Sequence, residues 1–423
     1  MKQTYDILIV GAGIVGSSLA LALSALPLRI ALIEQFPFNS LEATLPRSKP
    51  MALNFASLQI LQALKVWPAL KSYTNPIYRV HVSQQGYFAQ LKMSAEELGV
   101  PQLGAVIPAA RLGNELLKLL LAKVCNKTAR GCLDLYNPAI CESLHKHKGR
   151  WQVLLRQFES GEKTIHSRLI IAADGTDSTV RKLLKIGLKI NPTAEIALTT
   201  FIESSRHHQH SAYQRFTRQG IVACLPLCAN KIGLVWTSEQ KTIERLQNLT
   251  ESEFLEHLQQ HFSYRFGKLL QRSKPQIYPL KSGASESQAQ AGLFLLGNAA
   301  HTLLPLAAQG LNLGLHDMAE CVDVIANALK THTDLGDERL AYTYLNARVS
   351  SQQYIMRFTK QLMRLQPRLG PLTFIYNNGL LAMDLIPHAK RNLSRRLMGI
   401  HGRLPRLIRG LSLQQEEYEY AKI

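Results

Sequence analysis

No two of the six cysteines, at 125, 132, 141, 224, 228 and 321, form a Cys-x-x-Cys pair, and none sits in a histidine-containing zinc pattern. That removes structural zinc and dithiol redox chemistry, and leaves buried free thiols in a reducing compartment as the plain reading, Cys224 and Cys228 included. Acids are scarce: 30 Asp and Glu stand against 49 Lys and Arg, for a net charge of +19. Such a surplus favours nucleic acid, anionic lipid or phosphate-bearing ligands. Aromatic residues are few and not interleaved with the basic ones, and no nucleic-acid module is visible, so nucleic acid is not expected as a partner. No cleavage site follows the uncharged run 7–28, which Asp6 precedes and glycines interrupt, so it is not a secretory signal. A second uncharged run, 287–315, contains Asn298, His301, Pro305, Gln309, Gly310 and Asn312, polar and helix-breaking groups that are costly in lipid. No transmembrane helix is therefore expected, and a cytoplasmic location is. The chain also lacks internal repeats and long low-complexity linkers.

What is present is enough for a large core. The chain has 423 residues, 46% of them hydrophobic. Residues 5–10 read as a buried parallel strand, followed by Gly11-Ala-Gly-Ile-Val-Gly16, a helix to about residue 26, and a second strand at 29–33 ending on Glu34. Helical periodicity returns at 54–65. Residues 77–107 read as β-hairpins, and 108–124 as a helix carrying Arg111. Strands are expected near 133–142, 151–157 and 169–173. Short antiparallel strands follow at 196–203, 213–217, 221–225 and 232–237, then a helical segment at 250–270. After the 293–317 segment come helices to the C-terminus. The fold class is α/β with α+β character: a Rossmann-like βαβ nucleotide-binding domain interleaved with an antiparallel sheet, and a helical C-terminus.

Three motifs carry chemistry. Gly11-x-Gly13-x-x-Gly16 follows a strand, opens a helix, and has Glu34 at the end of the next strand, the arrangement that lets a diphosphate approach a helix N-terminus while an acid meets a ribose. Incidental glycines in a strand–helix turn are the bland alternative. Ala173-Asp174-Gly175-Thr-Asp177-Ser178-Thr-Val-Arg181 also leaves a strand for a helix, and an N-cap by Asp174 or Ser178 explains only part of it. Gly297-Asn298 ends a strand, Pro305 shapes a loop, and Gln309-Gly310-x-Asn312-x-Gly314 starts a helix whose N–H groups face electron-rich density.

These motifs, in this order and at these intervals, resemble the flavoprotein aromatic hydroxylases of the para-hydroxybenzoate hydroxylase fold, over nearly the whole chain. Within that class the chain looks most like the ubiquinone-biosynthesis hydroxylases. His81-Val-Ser-Gln-Gln-Gly86, Leu103-Gly-Ala-Val-Ile107 with Arg111-Leu112, and Leu225-Pro-Leu227 before Val235-Trp236 support the likeness. Gly297-Asn298-Ala-Ala, with Asn298 where most relatives carry Asp, resembles the branch of 2-polyprenyl-6-methoxyphenol hydroxylase. The resemblance implies FAD, with NAD(P)H as a transient co-substrate, since only one nucleotide-binding βαβ is present. It implies that Gly11, Gly13, Gly16 and Glu34 hold the ADP half of FAD and that Arg111 contacts the FAD chain. Asp174 and Gly175 would face FAD and the nicotinamide donor. Gly297 and Asn298 would meet the ribityl or phosphate part, and the Gln309, Gly310 and Asn312 backbone the isoalloxazine. Pro305 would sit beside the flavin. The arginine that relatives carry before an Ala-Leu pair is replaced by Lys49 before Ala52-Leu53, with Arg47 nearby, and the choice between the two stays open.

In the same class the cofactor activates O2 for insertion into a phenol ring, so few acid–base groups are required of the protein. No metal cluster stands out. His301 is read as holding the flavin loop, with a base as the alternative. Leu225, Pro226 and Leu227 are expected to line the substrate. The substrates implied are a polyprenyl-phenol and O2; a small soluble aromatic and a flavin-poor, non-catalytic subunit of a biosynthetic complex are the alternatives. The expected division is FAD-binding parts at 1–75, 108–190 and 286–335, a hairpin at 76–107, an antiparallel substrate domain at 191–285, and C-terminal helices at 336–423. From 339 to 413 there are thirteen Lys and Arg and one acid, Asp384, with six arginines (391, 395, 396, 403, 406 and 409) among aliphatics. That stretch suits an anionic inner-membrane surface or a partner subunit, or else caps the core with a solvated basic face. Oligomeric state is left open.

Overall fold

The computed structural model describes residues 3–38, 49–88, 90–125, 131–158, 161–191, 195–363, 379 and 381–413. Its central sheet runs, in parallel order, Leu293–Leu295, Gly161–Ala172, Gln3–Val10, Arg29–Ile33 and Cys132–Tyr136. Ile7, Leu8, Ile9 and Val10 are all buried, as a parallel strand covered on both faces requires. Ile7 and Ile9 face the helices Ile14–Leu23, Ala109–Cys125 and Gln309–Lys330 through Leu19, Leu112 and Leu315. Leu8 and Val10 face the other way, toward Trp151 and Val153 of an antiparallel pair, Ala139–His147 with Arg150–Gln157.

A second large sheet has the order Leu269–Arg272, Glu195–Ser204, Lys231–Glu239, Gly220–Pro226, Ser211–Thr217, Arg79–Gln84, Gln90–Ser94. All its neighbours are antiparallel except Ser211–Thr217 with Arg79–Gln84, which run parallel. Its outer face buries Leu198, Val222, Leu234 and Trp236 against Phe254 and Leu258. Those two lie on the helix Glu251–Phe262, which starts at a capping box: Thr250 Oγ1 accepts the Glu253 N–H, and Glu253 returns a bond to the Thr250 N–H.

Two segments differ from their sequence expectations. The 250–270 segment is not one helix. It ends at Phe262, where Ser263 turns to φ +51°, and Leu269–Arg272 becomes an edge strand on Glu195–Ser204. A helix absent from the sequence reading, Gln240–Asn248, precedes it and buries Ile243 and Leu246. Residues 77–107 are not all hairpin either. Arg79–Gln84 and Gln90–Ser94 pair as expected, but Gly104–Pro108 leaves that sheet to pair with Pro50–Asn54 and Asn75–Ile77. Alternation alone does not say which partner a strand will take.

The long helix Glu338–Met363 packs on Gln309–Lys330. The C-terminal segment then returns to the nucleotide side. The Ala56 N–H donates to the Met398 carbonyl at 3.0 Å, Asn54 Nδ2 donates to the Leu397 carbonyl at 3.0 Å, and Leu407 and Ile408 join the main core. Among the described residues no helix is long and apolar enough to cross a membrane, no group of side chains is arranged to hold a metal ion, and Cys132, Cys141, Cys224, Cys228 and Cys321 are free thiols.

Candidate active site

Gly11 leaves the first strand at φ +97°, and a Cβ there would lie 2.7 Å from the Ala173 carbonyl oxygen. The two strand ends bearing the first and second motifs thus touch because Gly11 has no side chain. A Cβ on Gly16 would lie 1.9 Å from the Gly11 oxygen, so the helix packs directly on the loop. Gly13, by contrast, faces open space and lines a large cavity. The helix Ile14–Leu23 has no side-chain cap, which leaves its first N–H groups for a ligand. Glu34 lies under this loop: its carboxylate accepts the Ala12 N–H at 2.7 Å and the Phe36 N–H at 2.9 Å.

The second motif ties the site together. Ser178 caps the helix Thr179–Leu183, and Asp174 Oδ2 accepts the Val180 N–H at 3.2 Å. Arg181 is buried, and its guanidinium donates to the carbonyls of Ala299 (2.8 Å) and Thr176 (2.5 Å), joining the second motif to the third. Asp174 Oδ1 is buried with no hydrogen-bond partner among the described residues, and burial pushes the carboxyl up from its ordinary value. Gly175 lines the cavity.

In the third motif Gly297 turns at φ +56°, and Asn298 presents an exposed amide to the cavity. Ala307 and Ala308 are left-handed, at φ +49° and +52°, and Ala308 precedes the 22-residue helix Gln309–Lys330 without capping it. The side chains that follow hold the loop. Asn312 Oδ1 accepts the Asn54 N–H (2.9 Å) and the Ser57 hydroxyl (2.7 Å), while its Nδ2 donates to the Ala52 carbonyl (3.0 Å). Gln309 Nε2 donates to the Ala307 carbonyl at 3.1 Å. The backbone of 309–312 is left toward the cavity, where a Cβ on Gly310 would have nothing within 4 Å. Pro305 lines the same space.

His301 is fully buried and does not line the cavity; its Nε2 is bonded to Asp317, which also accepts from Arg348 Nε at 2.6 Å and Gln352 Nε2 at 3.0 Å. Lys49 lines the cavity with its ammonium 3.1 Å from the centre of the Tyr278 ring, and burial lowers its pKa. Arg47 lies outside the described residues. Arg111 stands at the start of its helix, off the cavity wall, 4.3 Å over the Tyr73 ring.

The cavity measures about 1290 Å³, above the roughly 300–1,000 Å³ of one small-molecule site. One wall is the inner face of the second sheet: Val80, Val82, Leu91, Met93, Ala223, Leu225 and Val235. Leu225 is there, but Pro226 is buried at the strand end and Leu227 lines a separate cleft of about 400 Å³. The lining charges are Lys49 and the pair Asp177–Lys281 (3.0 Å); none comes from the sheet. Strand alternation, 80 with 82 and 91 with 93, was the available signal for this wall. No spacing rule pointed to Phe358, Leu362, Leu393 or Leu397, which close it from the C-terminal helices. Two uncapped helix starts and the open space at Gly13 and Gly310 fit a diphosphate-bearing flavin.

Comparisons agree. The FAD binding domain family model matches residues 4–359. The 3-demethoxyubiquinol 3-hydroxylase of Escherichia coli (strain K12) is 30% identical over 405 residues, covering 94% of this chain and 100% of that protein. The ubiquinone hydroxylase UbiL of Rhodospirillum rubrum is 27% identical over 415 residues, covering 97% and 94%. Among solved structures, p-nitrophenol 4-monooxygenase PnpA from Pseudomonas putida DLL-E4 shares the fold with a TM-score of 0.73 at 14% identity, covering 95% of this chain and all of that one. With the cavity, the two helix starts and a matched family model over most of its length, the chain belongs to the FAD-dependent hydroxylases of the ubiquinone-biosynthesis family.

Proposed function

We propose that this enzyme hydroxylates the ring of a polyprenylated phenol, 2-polyprenyl-6-methoxyphenol, at a membrane surface, using FAD, NAD(P)H and O2. The observation that carries the substrate class is the cavity wall: seven or more aliphatic side chains and no charge from the sheet. A small ionised aromatic would need a charged partner there, whereas a prenyl tail gains from apolar burial.

Bound in the site and reduced by NAD(P)H, FAD supplies the oxygen activation. In this reading Gly11, Gly13 and Gly16 admit its diphosphate to the helix N-terminus, and Glu34 accepts from the ribose. Lys49 lies toward the pyrophosphate and Asn298 offers a neutral amide to the ribityl or phosphate part. Asp174 and Gly175 face the cofactor and the nicotinamide donor. The N–H groups at Gln309, Gly310 and Asn312 stabilise negative charge on the reduced ring, as a helix start does. Pro305 flanks that ring, and the aliphatic wall excludes water. Gln214 on the sheet accepts the Ala307 N–H at 3.2 Å, which holds the flavin loop and the substrate wall in register.

A second reading, favoured by the name of the Escherichia coli relative, is hydroxylation of 3-demethoxyubiquinol. Quinone profiling of a deletion strain separates the two. Accumulated 2-polyprenyl-6-methoxyphenol is expected; accumulated 3-demethoxyubiquinol would assign the second, and an unchanged quinone profile would reject both.

A further inference from the structure

The described residues 381–413 carry seven Lys and Arg and one acid, Asp384. Lys390 is engaged by Glu97 (3.1 Å) and Asp384 (3.3 Å), Arg396 lies over the Tyr354 ring, and Arg403 and Arg409 flank the half-buried Asp323. Arg391 and Arg395 are exposed and make no ion pair among the described residues. They stand four apart on the helix Pro387–Leu397, so they share one stripe. Leu393 and Leu397 stand two residues on, about 200° around the helix. That opposite stripe, with Ser394 and Met398, lines the cavity. Just before the helix, Leu385 and Ile386 are 69% and 52% exposed. One helix thus separates a basic outer face from the apolar cavity, a thickness of about 10 Å, with two exposed aliphatic side chains at its start.

We infer that this helix is a two-sided port: Arg391, Arg395, Leu385 and Ile386 dock on an anionic phospholipid bilayer, and the substrate's tail enters the cavity along the inner stripe of Leu393 and Leu397. The inference rests on the lipid-tailed substrate proposed above. Charge complementarity selects anionic lipid, and the two exposed aliphatic side chains at the helix start suit a headgroup–acyl boundary. The cavity directly behind gives the bilayer's own apolar solutes a place to go, which an acidic protein partner would not need.

The test uses the full FAD-loaded chain and sedimentation with vesicles of phosphatidylcholine, with or without about one-third phosphatidylglycerol. Binding is expected only to the anionic vesicles and is expected to weaken with salt. The double variants Arg391→Glu/Arg395→Glu and Leu385→Ser/Ile386→Ser should each lose binding about tenfold or more. Both should keep flavin absorbance and turnover of a short-chain methoxyphenol, while the apparent KM for long-chain substrate in vesicles rises. Equal binding by parent and variants, or no binding to anionic vesicles, would overturn the docking face, even if an acidic protein bound there. Absence of short-chain turnover in a parent that binds vesicles would count against the ring hydroxylation and leave the docking face standing.

Discussion

Asp317 takes bonds from His301 and from two side chains one turn apart on a later helix, Arg348 and Gln352. Burial pushes its carboxyl up, but Arg348 and His301 more than reverse this and hold it well below the carboxylate range. Its folded value is therefore lower than the roughly 3.9 of an unfolded aspartate. The stability it contributes is complete above that unfolded value and is lost as pH falls through the folded one. Asp317→Asn leaves Arg348 buried without its countercharge and should cost about 3–5 kcal/mol at neutral pH. The variant should also lose less on acidification below about pH 4 than the parent does. Urea midpoints at neutral and acid pH measure both; curves that run parallel would refute the assignment. His301 drew notice in the sequence because it follows Gly297-Asn298-Ala-Ala. Its partners were not, since Asp317 and Arg348 are 16 and 47 positions on and no local periodicity links them to it.

At the scale of elements, the helix starts were the most legible parts and the sheet partners the least. Glycines and an acid at fixed spacing announce a strand–turn–helix because local sterics demand them. The pairing of Gly104–Pro108 with Pro50–Asn54 depends on a contact some fifty residues away, which side-chain alternation does not encode. The two kinds of glycine in these starts predict different failures. Gly16→Val drives a side chain into the Gly11 carbonyl, so the fold itself should suffer and little soluble protein is expected. Gly310→Val places its side chain in open cavity, so the apoprotein should melt near the parent while FAD affinity falls about tenfold or more. Calorimetry of the apoproteins and flavin titration separate these outcomes; a Gly310→Val protein that binds FAD as the parent does would remove the helix start from the cofactor site.

For the whole molecule, FAD lies in this reading between segments near residues 11, 174 and 298–312, and should stabilise the assembly of all three. At free FAD one hundred times its Kd the gain is about 2.7 kcal/mol. Stripping the flavin should lower Tm and re-adding it should restore Tm with that concentration dependence; a Tm indifferent to FAD would speak against a shared site. The basic C-terminal stretch shows where sequence stops. Its composition alone allowed a membrane-binding face, a partner surface or a solvated cap. The structure makes it a wall of the cavity, stitched to Asn54 and Ala56, so cutting the chain near residue 388 would open the active site rather than remove an appendage. By itself the sequence determined the nucleotide-binding unit, the presence of two sheet types and the family, because those follow from local sterics and from motifs at short range. Only the tertiary structure decided that a single cavity joins the flavin loop, the aliphatic sheet face and the C-terminal helix, because that joint is made by packing between segments hundreds of residues apart, where hydrophobic burial selects the partner and sequence spacing does not.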